Sequence, residues 1–277
     1  MTKISASDVN MLRKKTGAGL MDCKNALTEA QGDFEKATDL LRKKGQKVAE
    51  KRGERDAKEG YVVAKTTEDS KKGAIIILNC ETDFVAKNEE FIGYANSILE
   101  LTLSKDNTSL DSILGETVNG ASVKDGITDL VGKIGEKIEI SQLQTIESEQ
   151  VVAYNHPGNR LASLVGLNIA KGEDGEAAGK DVAMQIAAMN PVALDRDGVD
   201  KTIIEREMEI GMEQARQEGK PEAIIEKIAT GKLNKFYKEN TLLNQEFIKD
   251  NKKTIKQYLS EVDGSLTITE FCRQSLS

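Results

Sequence analysis

Few residue types that carry out chemistry occur in this sequence. His156 is the only histidine among the 277 residues, and it lies in a turn with Pro157 and Gly158. A Ser or Cys triad needs a base that faces its nucleophile, and no such pairing can be read around His156. The sequence therefore predicts no nucleophilic catalysis.

The three cysteines also give no sign of a reactive site. Cys23, Cys80 and Cys272 lie far apart and form no C-x-x-C pair. Zinc knuckles and disulfide frameworks use more closely spaced cysteines. We expect all three to be reduced thiols that pack as small core residues.

Motifs for nucleotide binding and acid–base catalysis are missing as well. Gly17, Ala18 and Gly19 precede a predicted helix, but they lack the lysine that a P-loop places on the phosphates. Charged residues make up 31% of the chain, yet no carboxylate pair stands out in an apolar setting. We therefore expect no enzyme, no metal site and no cofactor, and a protein that acts on another macromolecule through its surface.

Charge and hydropathy restrict the partners. The net charge of −7 and the isoelectric point near 5.1 argue against nucleic acid as a direct partner, because phosphate binding depends on clustered Lys and Arg. The basic residues 42–59 are predicted to be a solvated helix end and linker. Residues 1–10 lack the apolar run of a signal peptide, and no stretch approaches the roughly 20 apolar residues of a membrane span. We expect a cytoplasmic protein with no membrane partner.

The N-terminal residues form a predicted three-helix docking domain over residues 1–50. Apolar residues recur at spacings of three and four in three short segments between residues 4 and 45. Asp33 is the predicted N-cap of the third helix, and Lys43, Lys44 and Gly45 are predicted to end it.

Strand and helix patterns alternate beyond the linker, which predicts an α+β fold. Strands are expected at residues 61–64 and 74–78, and a helix is expected to begin near Asn88. The same order returns later, with strands at 151–154 and 161–169 and a helix at 181–189, so we predict two related α+β subdomains.

The remaining elements complete this organisation. The subdomains are predicted over residues 56–147 and 148–277, and a further strand is expected at 134–143. An antiparallel helical hairpin is predicted over about residues 195–230, with its turn at Gly219 to Pro221. A short helix at 254–259 and a strand at 266–271 follow.

Two long segments carry a family resemblance. Residues 9–27, VNMLRKKTGAGLMDCKNAL, and residues 80–91, CETDFVAKNEEF, resemble the two signatures of the elongation factor Ts family. Weaker agreement includes KIGE at 133–136 and His156, and the resemblance spans nearly the whole chain. It implies a ubiquitin-associated-like N-terminal domain, a core of two α+β subdomains and an inserted antiparallel coiled coil.

The resemblance also implies a function. Members are guanine-nucleotide exchange factors that bind elongation factor Tu, disturb its phosphate and Mg²⁺ site and promote GDP release during translation elongation, without a cofactor of their own. An adaptor that grips a peptide or a ubiquitin-like protein through its three-helix domain is the alternative.

The same resemblance assigns partner-binding residues. They are Asp83, Phe84, Thr82, Val85, Arg13, Leu20, Met21, Lys24, Ile134, Gly135, His156 and Ile248. Asp83 and Phe84 are expected on a short loop between a strand and a helix, and Phe84 is interpreted as an apolar wedge that enters the partner.

Structural alternatives to these roles stay open. Phe84 could instead fold into its own core, because phenylalanine is among the residues that are most often buried. Leu20 and Met21 could serve ordinary helix packing, and Ile134 could be a strand residue of the core.

Overall fold

The computed structural model describes residues 4–106, 108–170 and 172–276. The chain divides into two units: unit 1 takes residues from 1–63, 75–144 and 274–277, and unit 2 takes residues 64–74 and 145–273. Within the described ranges, no helix combines the length and the apolar character that crossing a membrane requires.

Unit 1 begins with three helices and continues with strands and helices in alternation. The elements with all or most of their residues in unit 1 are α1 (Ala6–Thr16), α2 (Leu20–Glu29), α3 (Phe34–Arg52), β1 (Glu59–Thr66), β2 (Lys72–Cys80), α4 (Asp83–Ala86), α5 (Glu89–Leu103), α6 (Leu110–Gly115), β3 (Thr117–Val118), β4 (Ala121–Ser122), α7 (Val123–Ile134) and β5 (Glu139–Glu147).

The first three helices share one small apolar core. Ser5 caps α1 in a capping box, in which the Asp8 amide donates to Ser5 Oγ at 3.1 Å and the Ser5 amide donates to the Asp8 carboxylate at 3.0 Å. Leu12, Cys23 and Leu27 are fully buried in this core. All three cysteines are buried free thiols, as predicted.

The third helix does not end at Gly45, and this corrects the sequence prediction. Helix α3 continues to Arg52, and Gly45 is buried where it crosses α7. A Cβ added at Gly132 of α7 would lie 2.8 Å from the Gly45 Cα, so only glycine permits this close approach. Packing across the crossing offsets the low helix propensity of glycine, which is why the expected stop is absent.

A three-stranded sheet and its helices form the rest of unit 1. The strand order is β1-β2-β5, and β2 is buried along its whole length because it is the central strand. Helix α5 begins after Asn88, which caps it as predicted, and buries Phe91, Ile98 and Leu99. Residue 134 ends α7 and β5 begins only at Glu139, so the strand predicted over residues 134–143 starts later than expected.

Unit 2 repeats the strand, strand, helix order. Its elements are β6 (Gln150–Asn155), β7 (Leu161–Leu167), α8 (Gly172–Met189), α9 (Lys201–Gln217), α10 (Glu222–Asn240), β8 (Glu246–Phe247), β9 (Asp250–Thr254), α11 (Ile255–Val262) and β10 (Ile268–Ser275).

One sheet and one apolar cluster organise unit 2. Strands β6 and β7 pair antiparallel from Gln150↔Leu167 to Asn155↔Ala162, and the sheet order is β10-β7-β6. Helix α8 covers this sheet with Val182 and Ile186, which are fully buried with Leu167.

The helical hairpin of unit 2 consists of α9 and α10. It was predicted over about residues 195–230 and spans Lys201–Asn240. The two helices approach closely at Gly211, where an added Cβ would lie 3.1 Å from the Ala229 Cα. Helix α10 continues past residue 230, and its last turn is supported by Arg196, which lies 5.5 Å above the Tyr237 ring.

The α+β fold class predicted from the sequence is confirmed, with helices at the N-terminus followed by mixed strands and helices. The domain boundaries 1–50, 56–147 and 148–277 stay a prediction. Residues 1–3, 107, 171 and 277, which fall within those predicted domains, lie outside the described residues.

Candidate functional site

The most exposed large apolar side chain in the described part of unit 1 is Phe84. It belongs to the segment that joins β2 to α5, residues 80–88, which we call the Phe84 turn. The Phe84 side chain is 81% exposed, so its own core does not take up the ring. The segment was expected to be a loop, but it forms the single helical turn α4.

Side-chain caps define the two ends of the Phe84 turn. Thr82 Oγ1 accepts from the Val85 amide at 3.4 Å at the start of α4. Asn88 Oδ1 accepts from the amides of Glu90 at 2.9 Å and Phe91 at 3.2 Å at the start of α5. The chain is therefore fixed immediately before and after the exposed ring.

A carboxylate from another part of unit 1 holds the start of the turn. Glu136 accepts hydrogen bonds from the Glu81 amide at 3.1 Å, the Thr82 amide at 3.0 Å and the Thr82 hydroxyl at 2.7 Å. Bonds to an ionised acceptor are stronger than neutral ones. Glu136 therefore fixes both peptide amides that precede α4.

Glu81 makes the reciprocal contact. Its carboxylate accepts from the Lys137 amide at 2.6 Å and from Arg52 Nη1 at 2.9 Å to each oxygen. Burial by itself raises the pKa of Glu81, but the Lys137 amide and the Arg52 and Arg55 guanidinium groups outweigh it and lower the pKa below its ordinary value of 4.5. Glu81 is therefore ionised at neutral pH. We call this arrangement the Glu81–Glu136 pair.

Two further side chains of the turn differ in their surroundings. Asp83 is exposed and pairs with Lys87 at 2.7 Å, and the hydrogen bond from Lys87 lowers the pKa of Asp83. Burial, with the Glu136 carboxylate nearby, raises the pKa of the Cys80 thiol to about 12. Cys80 is therefore a neutral core thiol, and it donates to the Thr82 carbonyl at 3.1 Å.

Ile134 and Gly135 lie at the end of α7, directly before Glu136. Gly135 is the C-cap with φ of +82°, a conformation that glycine adopts without strain. An added Cβ would meet open space there, so the backbone angle rather than crowding favours glycine. Ile134 is a half-buried helix residue, not a core residue of a strand.

The predicted residues of the N-terminal helices form an exposed group. Leu20 and Met21 open α2 and are 49% and 60% exposed, and Arg13 and Lys24 are exposed as well. Neither Leu20 nor Met21 is part of the helix core, which is formed by the opposite side of α2.

Unit 2 contains the two remaining predicted residues. His156 is exposed in the turn after β6, and its Nδ1 lies 2.9 Å from the Tyr154 hydroxyl. Ile248 is 47% exposed, and its amide donates to Gln185 Oε1 at 2.9 Å.

Sequence comparisons identify the family to which this arrangement belongs. A family model described as "Elongation factor TS" matches residues 81–277. The chain is 54% identical over 270 residues to the elongation factor Ts of Amoebophilus asiaticus, with 98% of each chain covered. It is 52% identical to that of Christiangramia forsetii and 50% identical to that of Cytophaga hutchinsonii, with 100% of each chain covered. The chain belongs to the elongation factor Ts family.

Membership of the elongation factor Ts family makes this chain a translation elongation factor. The first signature, residues 9–27, lies outside the matched family model but within the similarity to the Christiangramia forsetii protein, which covers the whole chain. The resemblance stated from the two signatures is therefore confirmed.

Three residues that sequence reasoning did not assign support the predicted site of this elongation factor Ts family member. They are Arg52, Glu81 and Glu136, which hold the Phe84 turn. Glu136 belongs to the KIGE segment, but its contact with Thr82, 54 positions earlier in the sequence, could not be seen in the sequence. Arg52 is the last residue of α3, which agrees with the helix end predicted there, but its guanidinium is not a fully solvated group because it binds the largely buried Glu81.

The described residues contain no group of three or more His, Cys, Asp or Glu side chains placed to hold a metal ion. What this part of the molecule presents instead is an exposed aromatic ring on a fixed backbone. Such an arrangement can act on another protein by insertion into an apolar pocket.

Proposed function

We propose that the chain binds the GTPase elongation factor Tu and promotes GDP release from it during translation elongation. It acts by non-covalent binding and not as an enzyme. The observation that carries the proposal is Phe84, which is 81% exposed on a turn whose backbone is capped on both sides.

An exposed phenylalanine on a fixed backbone is suited to binding. Burial of one such side chain in a partner contributes about 1.5–3 kcal/mol. Because the backbone of the Phe84 turn is already ordered, binding costs less conformational entropy than it would for a flexible loop. Asp83, Thr82 and Val85 flank the ring and are the other proposed contacts of this turn.

One aromatic side chain does not supply enough free energy to release a tightly held nucleotide. A GTPase binds GDP through many phosphate and Mg²⁺ contacts. We therefore assign the remaining binding free energy to other surfaces, with Leu20 and Met21 as apolar contacts and Arg13 and Lys24 as charged ones. His156 and Ile248 of unit 2 and the segment at Ile134 and Gly135 complete the proposed set.

Exchange follows from thermodynamic linkage. If the chain binds the nucleotide-free GTPase more tightly than the GDP-bound form, it must weaken GDP binding by the same factor. Insertion of Phe84 near the phosphate and Mg²⁺ site of the partner would provide that difference. GTP, when in excess, then displaces the exchange factor by mass action.

The direct test is release of a fluorescent GDP analogue from elongation factor Tu, with and without the purified chain. We expect the chain to accelerate release in a concentration-dependent and saturable manner. Met189→Ala serves as a control, because Met189 is an exposed apolar side chain at the end of α8 that belongs to none of the proposed contacts. Binding without any change in the release rate would contradict the proposal and favour an adaptor.

A further inference from the structure

We propose that Glu136 and Glu81 are positioning residues that hold the Phe84 turn in the conformation that acts on the partner. The inference rests on the proposed function, and it extends that function to residues that are not among the proposed partner contacts. The observation behind it is that each carboxylate accepts backbone amides from the segment that carries the other carboxylate.

Glu136 controls the segment that leads into the turn. It accepts two consecutive amides and the hydroxyl of one residue, at 2.7–3.1 Å. Two amides directed at one carboxylate fix the orientation of the peptide between Glu81 and Thr82. Helix α4 begins at the next residue, so this peptide sets the direction in which Phe84 leaves the core.

Glu81 controls the segment that carries Glu136. Its carboxylate accepts the Lys137 amide, so each carboxylate binds the backbone next to the other. Gly135 turns the chain at the end of α7 and thereby places Glu136 and Lys137 beside the turn. Neither segment can move without breaking hydrogen bonds to a charged acceptor.

Arg52 ties the end of α3 to this pair. Its Nη1 lies 2.9 Å from both oxygens of Glu81, and the two side chains are 30% and 13% exposed. Partial removal from water strengthens such an ion pair relative to one on the open surface. Arg55 adds a longer contact at 3.5 Å.

Phe84 depends on this support because its ring is exposed. Side chains that pack in a core are oriented by their neighbours, whereas an exposed ring is oriented mainly by its backbone. Loss of the Glu81–Glu136 pair should therefore leave Phe84 present but no longer held in one direction. Binding would then carry the extra cost of ordering the turn.

The experiment is a double-mutant cycle on GDP release from elongation factor Tu. Glu136→Ala removes all three acceptor contacts, and we expect the release rate at saturating chain concentration to fall about 10-fold, since one bond to a charged group contributes that order in an equilibrium. In the Phe84→Ala background, Glu136→Ala should change the rate less than about 2-fold, because residues that act as a unit are not additive. Glu136→Gln retains one acceptor oxygen and should give an intermediate rate.

Two readouts separate positioning from general destabilisation. Hydrogen exchange in Glu136→Ala should be faster at the amides of residues 81 and 82 and unchanged in the core of β2. Glu50→Gln, which alters an exposed carboxylate on α3 near Arg52, should leave both release and exchange unchanged. Arg52→Gln is the second test if Glu136→Ala fails to fold, and it should slow release about 3-fold through the loss of one ion pair.

Each outcome decides a different claim. If the wild-type chain does not accelerate GDP release, the proposed function itself is wrong. If the wild-type chain is active but Glu136→Ala is equally active, or slows release by the same factor with and without Phe84, the positioning role is overturned while the proposed function stands. The same conclusion holds for Arg52→Gln if that variant is the one measured.

Discussion

The Phe84 turn of unit 1 and the turn at Ile248 of unit 2 present an exposed apolar side chain in similar ways. In each turn, a distant side chain accepts hydrogen bonds from the backbone, Glu136 across 54 residues and Gln185 across 63 residues. The two anchors differ in charge and burial. Glu136 is a half-buried carboxylate, whereas Gln185 is a neutral amide that is fully buried.

The difference follows from the cost of burying charge. A fully buried carboxylate needs complete pairing, whereas an amide needs only its hydrogen bonds. Gln185 meets this requirement by donating to Gln245 Oε1 and to the Glu246 carbonyl, both at 3.1 Å, while it accepts from Ile248. The comparison indicates that Gln185 mainly stabilises the fold of unit 2, and that Glu136 mainly orders one turn of unit 1.

Gln185→Leu should have the largest effect on stability. It removes the hydrogen-bond partner of Gln245 Oε1, the Glu246 carbonyl and the Ile248 amide, of which only the Gln245 side chain is fully buried. We expect the free energy of unfolding to fall by about 3 kcal/mol, because a buried polar group left without a partner costs about 1–3 kcal/mol and the two others add less. Urea denaturation monitored by circular dichroism measures this change. Glu136→Ala should lose less, because Glu136 and the two residues whose amides it accepts are half-buried rather than fully buried. A larger loss of unfolding free energy for Glu136→Ala than for Gln185→Leu would contradict the roles assigned to the two side chains.

Gly135→Ala should destabilise the chain by about 1–2 kcal/mol, because an L-residue is strained at the φ of +82° that Gly135 adopts. Gly231→Ala is the matched control in unit 2. It lies inside α10 with open space around its Cα, so alanine should stabilise it by about 0.5–1 kcal/mol. Thermal unfolding of both variants measures whether each substitution lowers or raises the stability of the chain. Equal behaviour of the pair would show that the end of α7 does not require a left-handed residue.

Ile248→Ala should have a smaller effect, confined to binding. The Ile248 side chain is already half-exposed, so its truncation should have little effect on stability. It should weaken complex formation by about 1 kcal/mol, or about 5-fold in half-saturating concentration. The maximal GDP release rate should stay unchanged, in contrast to Phe84→Ala. Titration of the release rate against chain concentration separates the two parameters. A fall in the maximal rate would give Ile248 the role proposed for Phe84.

The smallest expected effect is on acid titration of the Phe84 turn. The pKa of Glu81 is lowered in the folded chain, so its stabilising contribution is present above the ordinary pKa of 4.5 and is lost as pH falls through the lower folded value. Arg52→Gln removes one of the groups that lower it, so the Glu81 carboxyl should titrate at higher pH in that variant. Carboxyl chemical shifts measured by NMR against pH test this. A Glu81 titration at or above 4.5 in the wild-type chain contradicts the ion pair with Arg52.

Local features of the fold could be predicted from the sequence. Asp33 and Asn88 cap α3 and α5 as expected, because a short polar side chain before an apolar helical period is a local signal. Gly45 was misinterpreted as a stop, because its packing against Gly132 of α7 is not a local feature. Local sequence signals therefore predicted the first residues of these helices correctly. They did not predict the last residue of α3, which depends on packing against another helix.

The same distinction between local and long-range features applies to the candidate site. The signature at residues 80–91 pointed to Phe84, and the structure shows the ring exposed. Its supports could not be predicted, because Glu81, Glu136 and Arg52 are ordinary charged residues that meet only after folding. Roles of the proposed contacts in partner binding stay predictions.

Phe84→Ala measured in GDP release and in unfolding tests the central claim most directly. We predict that the maximal release rate falls about 10- to 150-fold, which corresponds to the 1.5–3 kcal/mol of one buried phenylalanine. The free energy of unfolding should change by less than about 0.5 kcal/mol, because the ring is on the surface. An unchanged release rate, or a loss of stability as large as the loss of activity, would contradict the account.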